Sequence, residues 1–223
     1  MSSWLITSNA LVPIRRVSDR TVRLVLKPLV FLACLAPALY VPWMAWTHQL
    51  NANPFNAIVR STGFWSLRFL CLSLAITPLR WLTGWHSLIR FRRMLGLFAF
   101  FYAVEHLAAY VAFDCLAAPD RIGLFAAAWS ALRAIAVDAQ RPFFFIGWFA
   151  FAVMVPLAAT STASMIRRVG GMRWQLLHRL VYPAAIASVV HTYWPLTQRG
   201  PRYAAILSVV FVLRLARAYA HRV

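Results

Sequence analysis

Six apolar runs, each close to the roughly 20 residues a helix needs to cross a bilayer, occupy nearly all of this 223-residue chain. They lie at about 29–47, 62–80, 94–114, 143–161, 176–195 and 203–220. In hydrocarbon every backbone amide and carbonyl must find its partner within the protein, and apolar runs of this length meet that demand as α-helices. The expected fold is an all-α integral membrane protein, a single bundle of six transmembrane helices. Hydrophobic residues make up 62% of the chain, well above the roughly 45–50% of soluble domains. Short connections leave no room for a soluble catalytic domain or a nucleotide-binding fold. The chemistry therefore belongs inside the bundle or on a partner.

A net charge of +18 would suggest a nucleic-acid partner in a soluble protein. Here the basic residues alternate between the two ends of the spans, and the bilayer is the partner they fit. One set of segments holds Arg15, Arg16, Arg20, Arg23 and Lys27, then Arg80, Arg90, Arg92 and Arg93, then Arg167, Arg168, Arg173 and Arg179, then Arg214, Arg217 and Arg222. The opposite set holds Arg60, Arg121, Arg133, Arg141, Arg199 and Arg202. By the positive-inside rule both termini and the loops after the second and fourth spans are expected to be cytoplasmic, where anionic headgroups add to the attraction. The chain then divides into a basic cytoplasmic segment at 1–28, a transmembrane domain at 29–220 and a cytoplasmic tail at 221–223. Arg15 and Arg16 ahead of the small residues Ala33 to Ala38 suggest an export signal, but an apolar run of this length reads as a retained span.

The outer segment at about 115–142 mixes Ile122, Leu124, Phe125, Trp129, Leu132 and Ile135 with polar residues, a pattern that permits an interfacial helix. Pro37, Pro156 and Pro183 fall inside spans and are expected to bend them. Cys34, Cys71 and Cys115 are scattered without a CxxC spacing and read as packing residues.

Three histidines fall within the apolar runs: His106, His178 and His191. Ionisable side chains in membrane spans are costly and by default mark a functional site. At a rise of 1.5 Å per residue, His106 lies about 20 Å along the third span and His191 about 20 Å along the fifth. Both spans start on the cytoplasmic side, so the two imidazoles share an outer level. Facing histidines at one depth supply both axial ligands of a haem iron, and His106 and His191 are the first ligand pair. His178, 13 residues before His191, stands at the inner level, where the third span offers no histidine. It ligates a second haem with another partner, shares ligation in an alternative arrangement, or assists an electron donor at the cytoplasmic mouth. Thirteen residues turn an ideal helix to roughly 140° from its starting face, so a kink at Pro183 is expected to reduce the mismatch. Arg68, inside the second span, either snorkels to the interface or pairs with a haem propionate. Glu105 faces another helix or a proton path, and Arg173 and Arg179 surround His178 where an anionic cofactor would dock.

The segments FRRMLGLFAFFYAVEHLAAY at 91–110, PLAATST at 156–162 and GGMRWQLLHRLVYPAAIASVVHTYW at 170–194 resemble the MsrQ (YedZ) family, as does NPFNAIVRSTGFWSLRFLCLSLAITPLR at 53–80. More distantly the chain is similar to ferric reductase and NADPH oxidase membrane domains. The resemblance implies a b-type haem subunit of a bacterial inner-membrane protein-methionine-sulfoxide reductase system, with haem-associated residues at His106, His178 and His191. It implies electrons drawn from the quinone pool or a cytoplasmic flavin reductase and passed to a periplasmic molybdopterin enzyme, MsrP, as a heterodimer. Sulfoxide reduction itself would occur on that partner. It also implies FMN, for which Gly170 and Gly171 give no independent support, since a loop between charged helix ends explains them equally. Two other readings compete: a stand-alone ferric or quinone reductase, and a small proton-coupled transporter with a His, Glu and Arg relay.

Overall fold

The computed structural model describes residues 18–47, 54–112, 124–138, 140–193 and 200–220, and every regular element among them is helical. A short α1 (Asp19–Thr21), capped by the Ser18 hydroxyl, runs through a π-helical turn (Val22–Leu26) into α2 (Lys27–Trp46). Then follow α3 (Pro54–Thr83), a 3₁₀ turn (His86–Leu88), α4 (Ile89–Tyr110), α5 (Leu124–Asp138) and α6 (Pro142–Ala159). The chain closes with α7 (Ala163–Val169), α8 (Gly171–His178), α9 (Val181–Tyr193) and α10 (Gly200–Ala220).

Four of these helical stretches are long and apolar enough to cross a membrane: Asp19–Met44, Asn56–Thr83, Pro142–Ala159 and Gly200–Ala220. The two other expected spans fall short for different reasons. The 22-residue α4 has the length but carries Arg90, Arg92, Arg93 and Glu105. The fifth run is split, and its apolar part α9 has 13 residues. The break lies at Arg179 and Leu180, where the amides of Arg179, Leu180 and Tyr182 bond three residues back, to Leu176, Leu177 and Arg179. Pro183 is the reason: lacking an N–H, it leaves the Arg179 carbonyl without its usual helical donor, and the tighter i−3 pattern takes over. The unwinding expected near Pro183 is present, though it falls one turn earlier than the proline itself.

The bundle is organised around α3 and α4, antiparallel neighbours joined by a turn at Gly84, whose φ of 66° suits a residue without a Cβ. Apolar burial gives little drive for helix association in lipid, so packing and hydrogen bonds must hold such helices together. Both are visible at this interface. Ser66 Oγ donates to the Ala99 carbonyl at 2.9 Å and Ser73 Oγ to that of Arg92 at 3.0 Å. Between them Phe69 stacks on Tyr102 with ring centroids 5.4 Å apart. Tyr102, 1% exposed, then reaches into α2: its hydroxyl donates to the Cys34 carbonyl at 2.8 Å and accepts from the Ala38 amide at 3.0 Å. That hydroxyl is inserted into the helical ladder beside Pro37, one of the known causes of a helix bend. Cys34 and Cys71 are buried and free, as packing residues should be; Cys115 lies outside the described residues. On the outer surface Leu32, Phe145 and Leu215 are exposed as lipid-facing side chains would be.

Helix α5 falls within the segment expected to form an interfacial helix. Its attachment is specific: Tyr110 Oη donates to Asp138 Oδ2 at 2.6 Å, and Ala134 and Ile135 pack on Tyr110.

Candidate functional site

Between α3, α4, α6 and α9 lies a cavity of about 390 Å³ lined by His106 from α4 and His191 from α9. The ring centroids are 6.2 Å apart, with the planes at 76°. Each imidazole is held in the same way. His106 Nδ1 is 2.8 Å from the Val59 carbonyl on α3, and His191 Nδ1 is 2.9 Å from the Phe143 carbonyl on α6. A carbonyl only accepts, so in both rings Nδ1 carries the proton and donates, which leaves the Nε2 lone pair available to a metal.

Each ring also rests on a glycine one turn beyond its acceptor. A Cβ on Gly63 would lie 3.1 Å from the His106 ring, and one on Gly147 would lie 2.8 Å from that of His191. Residues i and i+4 share a helix face, so Val59 with Gly63, and Phe143 with Gly147, each form a carbonyl and a notch on one face. The Phe143 ring stacks on His191 at 4.2 Å and 15°, which further restricts its rotation. Gly63 and Gly147 escape the sequence argument. The signal available was a lone glycine in each of two expected spans, a pattern that also serves ordinary helix packing.

The donor set suits an iron porphyrin. Metal–imidazole bonds of roughly 2 Å on either side of one metal put the two ring centroids about 6 Å apart, which matches the observed spacing. Apolar and aromatic walls, among them Phe64, Leu107, Phe144, Phe151 and Met154, suit a flat apolar macrocycle.

The other candidate residues are not brought to this cavity. His178 lies at the end of α8, stacked on Trp174 at 3.9 Å, with Nδ1 donating to the Trp174 carbonyl at 3.1 Å. Arg173 and Arg179 are exposed beside it. Among the described residues no group of three or more His, Cys, Asp or Glu side chains gathers at a metal-binding spacing. Arg68 points to α10, its Nε donating to Tyr203 Oη at 3.0 Å and its guanidinium lying 4.3 Å from the centre of the Trp65 ring. The guanidinium at the cavity is that of Arg60, hydrogen-bonded to Asn56 at 2.8 Å. The two arginines are eight residues apart on α3, about 12 Å of helical rise; Arg60 follows Val59, the acceptor of His106, while Arg68 lies on the side that packing turns toward α10. Gly170, at φ 84°, ends α7 and begins α8, so the loop explanation accounts for it.

Helices carrying apposed histidines around an apolar cavity define a ferric reductase-like membrane protein, and the family model described as "Ferric reductase like transmembrane component" matches residues 62–189. Comparison with curated proteins narrows this. A protein-methionine-sulfoxide reductase heme-binding subunit MsrQ from Polaromonas naphthalenivorans (strain CJ2) is 48% identical over 169 residues, 75% of this chain and 71% of that protein. The proteins of the same name from Herminiimonas arsenicoxydans and Rhodospirillum rubrum are 42% and 41% identical, over 87% and 86% of this chain and 84% and 88% of theirs. The chain belongs to the MsrQ family. No solved structure matches it.

Proposed function

We propose that this chain is the haem-binding electron-transfer subunit of a methionine-sulfoxide reductase system in a bacterial inner membrane. The carrying observation is the facing pair of His106 and His191, each with Nδ1 committed to a main-chain carbonyl and its ring spacing suited to one metal between them. A bound b-type haem supplies one-electron chemistry that no side chain here offers. The protein's own part is to hold that group from two helices, to fix both imidazole tautomers, and to keep water out with apolar walls.

The six apolar runs and the distribution of Arg and Lys support six spans with both termini cytoplasmic. On that reading the domain at 29–220 sets the histidine cavity toward the periplasm. Electrons would come from the quinone pool or a cytoplasmic flavin reductase and leave to a periplasmic MsrP-like molybdoprotein, with which the chain would form a heterodimer. There two electrons and two protons convert a methionine sulfoxide to methionine and water, restoring an apolar side chain. His178, with Arg173 and Arg179, is assigned to a separate inner cofactor position, either a second haem or the FMN implied by family resemblance. Arg68 would support the fold from the α10 side, and Arg60 is the guanidinium positioned to meet a propionate.

An optical spectrum with quantitative haem and flavin extraction from purified protein tests the reading. A low-spin haem lost on replacing either His106 or His191 is the expected result, and a colourless protein would exclude it. A stand-alone ferric or quinone reductase is the second reading, supported by the matching family model. Electron delivery to a purified molybdenum partner, compared with a ferric chelate, separates the two. The transporter reading has less support, because both imidazoles donate to main-chain carbonyls and neither is linked to Glu105.

A further inference from the structure

At the end of the bundle opposite the histidine cavity, three arginines from three helices converge. Arg80 lies in the last turn of α3, Arg92 in the first turn of α4 and Arg214 on α10; the Arg92 carbonyl accepts from Ser73 of α3, and Arg214 reaches the next residue of that helix, Leu74. Arg214 is held in place by two interhelical bonds. Its Nη1 donates to Tyr182 Oη at 2.6 Å and its Nη2 to the Leu74 carbonyl at 2.6 Å. Its Nε remains buried without a partner, and so does Arg80 Nε.

No described carboxylate compensates this cluster. Asp19 pairs with Arg90 at 2.8 Å, and Asp138 is held by Tyr110 beside the histidine cavity. Glu105 stands about 20 Å further along α4 by helical rise. Three guanidiniums at one end of the bundle, two of them with a buried and unpartnered Nε and none with an acidic partner among the described residues, are costly unless an anion joins them. The planar fork of arginine matches phosphate oxygens. The flanks tell more about the source: Leu79, Leu82, Val212 and Leu215 beside the cluster are exposed, and Arg217 lies 4.9 Å from the centre of the Trp81 ring. An apolar apron with an interfacial aromatic is the surface a lipid chain covers.

We propose that Arg80, Arg92 and Arg214 form a binding site for a phosphate-ester anion, carried either by an anionic phospholipid headgroup, which the apolar flanks favour, or by a soluble phosphomonoester. The inference does not depend on the histidine pair.

Native mass spectrometry of the purified full chain, titrated with phosphatidylglycerol or phosphatidylcholine, tests the lipid arm. Equilibrium binding of glycerol 3-phosphate against glycerol, which lacks the phosphate, tests the soluble one. The wild type is expected to prefer phosphatidylglycerol, and the Arg80→Gln/Arg214→Gln variant to bind it roughly ten- to a hundredfold more weakly. A variant-sensitive preference for glycerol 3-phosphate over glycerol, without one for phosphatidylglycerol, supports the same site with a soluble ester as ligand. Arg80→Gln alone keeps both interhelical bonds of Arg214. It serves as the second variant, with a smaller loss in the same direction, should the double variant fail to fold. Equal binding of every probe by the wild type and by a variant with wild-type helicity and melting overturns the proposal.

Discussion

Gly147 sits behind the imidazole of His191 so closely that a Cβ there would lie 2.8 Å from the ring's Cε1 and 2.9 Å from its Nδ1. Gly63 stands in the same relation to His106 at 3.1 Å. In both places the separation between helices is set by a histidine ring seated in a glycine notch.

Gly147→Ala is therefore expected to push His191 off its Phe143 acceptor, at a cost of about 1–3 kcal/mol for overpacking, and to lower the haem-to-protein ratio of the purified protein. Gly63→Ala, with the longer approach, should do the same to a smaller degree. Haem content and melting temperature of the two variants check the order; wild-type values in both would mean the notches do not seat the ligands.

His106→Ala and His191→Ala are each expected to abolish the bis-histidine optical spectrum, because one axial donor is lost in either case. His178→Ala should leave that spectrum in place and slow electron transfer through the protein. Spectra of the three variants in purified membranes decide, and an intact spectrum without His106 or His191 would remove the ligand assignment.

Tyr102→Phe removes the hydroxyl that lies between the Cys34 carbonyl and the Ala38 amide. The cost expected is about 1–3 kcal/mol, the range for stranding a buried polar group, unless α2 straightens and closes its own bond. Thermal unfolding in detergent measures the loss, and amide exchange at Ala38 distinguishes a stranded amide from a repaired helix.

Asp138→Asn weakens the 2.6 Å bond that fastens α5 to Tyr110 at the cavity. A hydrogen bond to a charged acceptor contributes roughly 1.5–3 kcal/mol, so faster hydrogen exchange across α5 is expected, with helix α4 unaffected. Unchanged exchange in α5 would show that apolar packing alone holds it.

Sequence reasoning reached His106 and His191 because membrane depth is a one-dimensional quantity: the start of a span and the rise per residue place any side chain along the normal. Rotation about the helix is not available in the same way. Arg68 was open between snorkelling and a propionate; its azimuth, set by packing against α10, turns it to Tyr203, while Arg60, about 12 Å away along α3, lines the cavity. The break beside Pro183 was legible because a missing N–H is a local fact. Its position at Arg179 was not, since the strain is taken up by whichever preceding amides can shorten their bonds. The Val59 and Phe143 carbonyls could not be read at all, because main-chain acceptors leave no residue-type signature.

Since both histidines are oriented by backbone oxygens, no side-chain replacement at positions 59 or 143 can delete the acceptor. The side chain at 59 can change while the His106 tautomer stays fixed; at 143 the ring that stacks on His191 narrows the choice, and the tightest steric limit falls on the glycine one turn further on.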